Sequence, residues 1–288
     1  MRSASRTPPC GTSLTEWLFT EPWAFAHLSV RLWGWPDVTP GFLRDLSERL
    51  GGHRLVSVED GGSVASVIHE AQVNGIRLVY REEGDPTSPP LVLLHGRTAD
   101  HNDWNGVTQH FAARYHVFAL DLRGHGASDH PGEYPLPGMA EDVVALLDHL
   151  GIERATLVGH SLGGAVSYHL AMNHPGRVER LVLEDPAPPC PLEGRAPLVE
   201  DGSTGFDWRM MHDTERQLLH PDPAWLDGLA KITAPTLVIG GGEQSPFDAE
   251  GLAALIPGAE FVTIEAGHLI HVNARGPFLR TVDAFLNG

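Results

Sequence analysis

Ser161 stands in the run Ala155-Thr156-Leu157-Val158-Gly159-His160-Ser161-Leu162-Gly163-Gly164, and Ala165-Val166-Ser167-Tyr168-His169-Leu170-Ala171 follows. Four residues suited to a buried strand lead into a serine between glycines, and a helix-compatible stretch comes next. Such a strand–turn–helix holds the serine in a strained backbone conformation that only small neighbours permit. Its hydroxyl then stands at the carboxyl edge of a sheet. The following helix starts beneath it, so the N–H of Leu162 can face a developing negative charge. A hydroxyl is a weak nucleophile until a histidine takes its proton, and that histidine needs a carboxylate to fix its tautomer. The chemistry expected is acyl transfer.

Of seventeen histidines, His268 is the expected base. It lies in Glu265-Ala266-Gly267-His268-Leu269-Ile270-His271, directly after an apolar run, and Gly267 allows a close approach. His271 is the weaker candidate. Carboxylates that follow strand-like runs are Glu184, Asp185 and Glu243. Acyl transfer also needs a second N–H donor for the oxyanion, and the backbone N–H of Arg97, in His95-Gly96-Arg97-Thr98, is expected to supply it. His95 is expected to hold this loop by hydrogen bonds. The polar run Asp121-Leu122-Arg123-Gly124-His125-Gly126-Ala127-Ser128-Asp129 is expected to be a glycine-rich turn stapled by its own Asp–Arg pair.

These residues need a scaffold that brings strand ends together. Val73 to Arg81, with Asn74-Gly75 inside it, reads as a β-hairpin. Continuous apolar runs suited to strands buried on both faces are Leu91–Leu94, Val117–Leu120, Ala155–Val158, Leu181–Leu183, Thr236–Ile239 and Phe261–Ile264. Helical patterns alternate with them at 103–114, 136–150, 161–174, 248–256 and 277–286. The alternation predicts a doubly wound α/β domain with its ligands beyond the carboxyl ends of the strands. Pro186 to Ile232 interrupts it with many prolines and one expected helix, Trp208 to Leu219, and reads as a lid over the serine.

The chain has 288 residues, enough for one large α/β domain, and a formal charge of −17. That charge argues against nucleic acid and anionic membrane surfaces as partners. Its two cysteines, Cys10 and Cys190, lie far apart, so neither a disulfide framework nor a zinc site is expected and a cytoplasmic setting is the default. Residues 1–70 carry no strong strand or helix series beyond a short helix expected near 39–50. Trp17, Trp23, Trp33 and Trp35 sit among Glu21, Pro22, His27 and Arg31. That stretch is too broken for a membrane span and lacks the basic face of an interfacial anchor. An N-terminal extension is therefore expected over 1–70, partly disordered, ahead of a domain over 71–288 with the lid at 186–232.

His95-Gly96, Asp121-Leu122-Arg123-Gly124-His125-Gly126, Gly159-His160-Ser161-Leu162-Gly163-Gly164 and Gly267-His268 together resemble the α/β-hydrolase fold superfamily over about residues 70–288. The resemblance implies an α/β-hydrolase fold: a mostly parallel eight-stranded sheet with helices on both faces and a short lid insertion. It also implies no metal, no organic cofactor, and hydrolysis of a small-molecule acyl substrate through an acyl-enzyme. Dehalogenases and epoxide hydrolases of this fold place an aspartate where Ser161 stands, so a carboxylic ester, a lactone or a related acyl bond is the expected target. Carbon–carbon bond hydrolysis and perhydrolysis would use the same residues, and some proteins with this fold only bind ligands. Many members place the acid in a Gly-x-x-Asp turn after the strand that here is Thr236–Ile239. This chain has Gly241-Gly242-Glu243-Gln244 there. Some dehalogenases and lactonases carry the acid one strand earlier, which falls on Asp185. Glu184 should point the other way along an extended chain, and Asp185 is therefore favoured over Glu184 and Glu243.

Overall fold

The computed structural model describes residues 66–189 and 198–288. The aromatic-rich stretch, the helix expected near 39–50, both cysteines and residues 190–197 of the expected lid lie outside them. The Asn74-Gly75 pair adopts left-handed φ values of 49° and 78°, the combination that matches the twist of a two-residue hairpin turn. It joins β1 (Val67–Val73) to β2 (Ile76–Glu83), so the first strand starts upstream of position 71.

The apolar runs become β3 (Pro90–Leu94), β4 (His116–Asp121), β5 (Ala155–His160), β6 (Val178–Glu184), β7 (Thr236–Gly240) and β8 (Glu260–Thr263). The eight strands lie in the order β1-β2-β4-β3-β5-β6-β7-β8. β1, β2 and β4 pair antiparallel, and every pairing from β4 to β8 is parallel. Successive side chains of a strand face opposite sides, and two cores result. Val92, Leu94, Phe118, Leu120, Leu157, Leu181, Leu183 and Val238 face one. Leu91, Leu93, Val117, Ala119, Val158, Val182, Leu237 and Ile239 face the other. All sixteen are buried, so an apolar run without alternation is what each central strand needs.

The helices are α1 (Thr108–Ala112), α2 (Leu136–His149), α3 (Leu162–Asn173), α4 (Trp208–Leu219), α5 (Ala224–Leu229), α6 (Ala249–Leu255), α7 (Ile270–Asn273) and α8 (Arg275–Asn287). The helix expected over 103–114 is broken. A 3₁₀ turn at His101–Gly106 precedes α1, because the Trp104 carbonyl takes both the Val107 N–H at 2.9 Å and the Thr108 hydroxyl at 2.7 Å. The fully buried Trp104 ring anchors that turn. Arg123 does not pair with Asp121 as expected: it reaches α2 and forms an ion pair with Asp142. The Asp121 carboxylate instead accepts from His101 N–H at 2.7 Å and Ala127 N–H at 2.9 Å. It sits at a strand end facing two loops, and their free N–H groups are nearer partners than an arginine drawn to the helix.

Between β6 and β7 the expected α4 is joined by α5, which packs on α3. His169 of α3 is fully buried there, its ring 4.4 Å from Trp225 of α5 and perpendicular to it. Neither ring nitrogen has a hydrogen-bond partner among the described residues, and burial pushes the imidazole down to about 4. A histidine held neutral this way costs the fold nothing above its unfolded value near 6.5. As pH falls from there toward 4 the unfolded chain gains a proton that the folded one does not, and stability is lost. From pH 7 to pH 5 this residue should account for about 2 kcal/mol of that loss. Urea denaturation of His169→Leu at both pH values should show a correspondingly smaller acid loss than wild type; equal losses in the two proteins would contradict the assignment.

Candidate active site

The turn after β5 gives Ser161 a φ of 51° and a ψ of −111°, a left-handed φ unusual for a residue with a side chain. Two glycines make it feasible. A Cβ on Gly163 would overlap the Leu94 carbonyl, and one on Gly159 would overlap the Gly163 carbonyl and the Ser167 hydroxyl. The Ser161 N–H donates to the Glu184 carbonyl at 2.9 Å, which ties the turn to the end of β6. The Gly163 N–H donates to the His95 carbonyl at 3.0 Å and draws the loop after β3 against the turn.

In that loop the His95 ring is fully buried. Its Nε2 accepts the Leu122 N–H at 3.1 Å and its Nδ1 lies 2.8 Å from the Gly96 carbonyl. Burial holds the ring neutral by lowering its pKa, so Nδ1 carries the proton and both nitrogens serve the loop. The Arg97 and Leu162 N–H groups take no backbone acceptor among the described residues. The Arg97 side chain points elsewhere, into a 2.6 Å ion pair with Glu215 of α4.

At the end of β6 the two neighbouring carboxylates part company. Asp185, fully buried and at φ 42°, accepts His268 Nδ1 through Oδ2 at 2.6 Å. Its other contacts are the Gly241 N–H at 3.0 Å and the Ser245 hydroxyl at 2.8 and 2.7 Å. A carboxylate with this many donors is fixed in direction. Glu184 turns the other way and takes His271. Glu243 is exposed and its N–H bonds Glu265 at 3.3 Å, so it reaches neither histidine. Ser245, two residues beyond Glu243, is a partner that no motif announced; only its place after β7 could have suggested it. The Phe247 ring lies 5.2 Å from that of His268 at 65°.

His268 has a third of its side chain exposed, and Ser161 very little of its surface. With Nδ1 on Asp185, the opposite nitrogen, Nε2, is the one free to exchange a proton. Asp100, His101 and Asp121 are the cluster of metal-binding residue types among the described residues. The oxygens of Asp121 already serve the His101 and Ala127 N–H groups, and Asp100 caps the Asn102 N–H at 2.7 Å. That cluster closes loops. A groove of about 520 Å³ beside β7, β8 and α8, lined by Arg180, Pro235 and Arg280, lies at the amino ends of the strands and includes none of these residues. No helix of the described residues is long and apolar enough to cross a membrane.

Residues 89–218 match the family model described as alpha/beta hydrolase fold. An uncharacterized protein of Mycobacterium tuberculosis is 43% identical over 112 residues, 38% of this chain and 32% of that protein. The match thus spans about a third of the length of that relative. The sn-1-specific diacylglycerol lipase of Mus musculus is 28% identical over 255 residues, 71% of this chain and 83% of the lipase. Among solved structures, Est816, described as an N-acyl homoserine lactone degrading enzyme, superposes with a TM-score of 0.66 at 28% identity. It covers 75% of this chain and all of its own. With the sheet order above, these likenesses show that the chain has the α/β-hydrolase fold.

The pairing of Asp185 rather than Glu243 with His268 sets an expectation for any acyl ester that the protein is found to turn over. Asp185→Asn should lower kcat about 10³- to 10⁴-fold, as loss of the tautomer-fixing acid does elsewhere. Glu243→Gln should stay within about twofold of wild type, as expected for a residue outside the reacting groups. Steady-state kinetics of the two variants checks this, and the opposite pattern would move the acid to the turn after β7.

Proposed function

We propose that the chain is a cofactor-free serine hydrolase that cleaves a carboxylic ester, a lactone or a related acyl bond of a small molecule. The observation that carries the reading is the 2.6 Å pair between buried Asp185 and partly exposed His268, on the sheet edge that also holds Ser161 in its strained turn. Ser161 Oγ attacks the acyl carbon while His268 Nε2 takes its proton. Asp185 stabilises the imidazolium that results. The tetrahedral oxyanion is met by the N–H groups of Arg97 and Leu162, two donors on separate loops that are locked together by the Gly163–His95 bond. The imidazolium then protonates the leaving alcohol. A water molecule, deprotonated by His268, hydrolyses the acyl-enzyme and restores the serine.

The pocket that selects the acyl group is assigned to the lid, of which α4 and α5 are described. Arg97–Glu215 joins the lid to the oxyanion loop, so the lid's placement and the oxyanion donors are coupled. The mouse lipase acts on an ester and Est816 on a lactone, which supports these two acyl classes ahead of carbon–carbon cleavage or perhydrolysis. The chain is further assigned an acyl substrate as its partner, with no nucleic acid, in keeping with its charge of −17.

A panel of p-nitrophenyl esters and lactones tests the reading. Wild type should turn over at least one member, and Ser161→Ala should lose about 10⁴-fold or more in kcat. Ser161→Ala activity equal to wild type, or a wild type inert on every ester and lactone, would overturn it.

A further inference from the structure

Behind the Asp185–His268 pair stands a second carboxylate–imidazole pair built from their neighbours. Glu184, fully buried, accepts the His271 backbone N–H through Oε1 at 2.8 Å. His271 Nδ1 lies 2.9 Å from both of its oxygens. The adjacent carboxylates of one strand end thus hold two histidines three positions apart on one loop. The two pairs differ in surroundings. His271 is nearly inaccessible, stacked on Trp104 at 4.4 Å, and its Nε2 faces Asp103 Oδ1 at 3.6 Å rather than a hydroxyl. It has no serine to deprotonate and no path for a substrate, so it cannot act as the base.

Burial disfavours the charge on His271, but the Glu184 and Asp103 carboxylates on its two sides outweigh that and raise it to about 10. It is therefore an imidazolium between two carboxylates at neutral pH. His160 lies between the two pairs, 5.3 Å from the His271 ring and 4.7 Å from the His268 ring. Its Nε2 is 2.9 Å from the His268 carbonyl oxygen. A carbonyl only accepts, so Nε2 must carry a proton. Burial, reinforced by the neighbouring histidines, lowers the His160 pKa despite the nearby carboxylates, and its Nδ1 is left as a bare acceptor. That explains why Asp103 Oδ2 stands 3.8 Å from Nδ1 and makes no hydrogen bond to it. Gly96 closes the other side, since a Cβ there would press on Nδ1 at 2.7 Å.

We propose that Glu184, His271 and His160 position His268: Glu184 anchors its loop through the His271 N–H and imidazole, and His160 holds the His268 carbonyl by a hydrogen bond. This rests on His268 being the base of the reading above and adds three positioning residues to it. Glu184 is central, for its backbone carbonyl also holds the Ser161 N–H. One residue therefore sets the height of the nucleophile's turn and the anchorage of the base's loop. Loss of the His160 bond leaves the substrate pocket and Asp185 in place but lets the loop carrying His268 drift. The effect should fall on the chemical step rather than on binding.

The test compares wild type with His160→Leu, His160→Gln and Glu184→Gln. Leucine removes the donor, whereas glutamine keeps an N–H at the end of a similar reach. His160→Leu should lower kcat about ten- to thirtyfold, the size expected for one lost positioning bond, with KM within about twofold. His160→Gln should recover most of that loss, and Glu184→Gln should lower kcat in the same direction. A readout independent of turnover accompanies these: the downfield proton of the Asp185–His268 bond should exchange with solvent faster in His160→Leu and in Glu184→Gln than in wild type. Unchanged kcat and unchanged exchange in folded His160→Leu, or a glutamine variant no better than leucine, would overturn the proposal. Should His160→Leu not fold, unchanged exchange in Glu184→Gln would overturn it equally. Because proton exchange needs no substrate, failure of the hydrolase reading appears as an inert wild type with the exchange differences intact.

Discussion

The left-handed φ at Ser161 is the constraint from which the rest of the site follows. A residue with a Cβ holds that conformation only where its surroundings over-determine it. Here β5 enters the turn, α3 leaves it, Glu184 holds its N–H, and the Gly163 N–H is held from the neighbouring loop. Gly159 and Gly163 let strand, helix and loop approach more closely than any side chain allows. The same compression brings the N–H of Leu162 and the loop of Arg97 alongside each other. The strain and the placing of these N–H groups are thus one feature of the backbone.

The second governing feature is the exit from β6. Glu184 is the last extended residue and Asp185, at φ 42°, already belongs to the turn that leaves the strand, so the two serve different histidines although they are adjacent. Asp185 meets the partly exposed His268, where a proton can move to a substrate. Glu184 meets the buried His271, where it cannot. The same two residue types thus give one pair open to solvent and one closed to it.

The strands were legible because a strand buried on both faces needs an unbroken apolar run, and Leu91–Leu94 or Thr236–Ile239 can hardly be anything else. The serine turn and the His268 loop were legible for the same local reason: glycines in fixed places beside a serine or a histidine. The Asp185 partner of His268 could be reached only through the resemblance, by counting from the start of β6 and then applying strand alternation. What stayed hidden is non-local. Arg123 finds Asp142 on a helix 19 residues away rather than its own loop, Ser245 supports Asp185 from across the sheet edge, and His160 meets His268 over a separation of 108 residues. The break of the helix at 103–114 depended on Trp104 being drawn into the core, which no local propensity reports. Such pairings are decided by tertiary packing.

The central claim is that Ser161 becomes acylated. It is tested most directly by mixing the protein with a p-nitrophenyl ester it turns over, quenching in acid before deacylation is complete, and mapping the added mass by peptide mass spectrometry. The acyl group should appear on the peptide containing Ser161 in wild type, and on no peptide in Ser161→Ala. Turnover with the Ser161 peptide unmodified, under conditions where released p-nitrophenol shows a burst, would contradict the account.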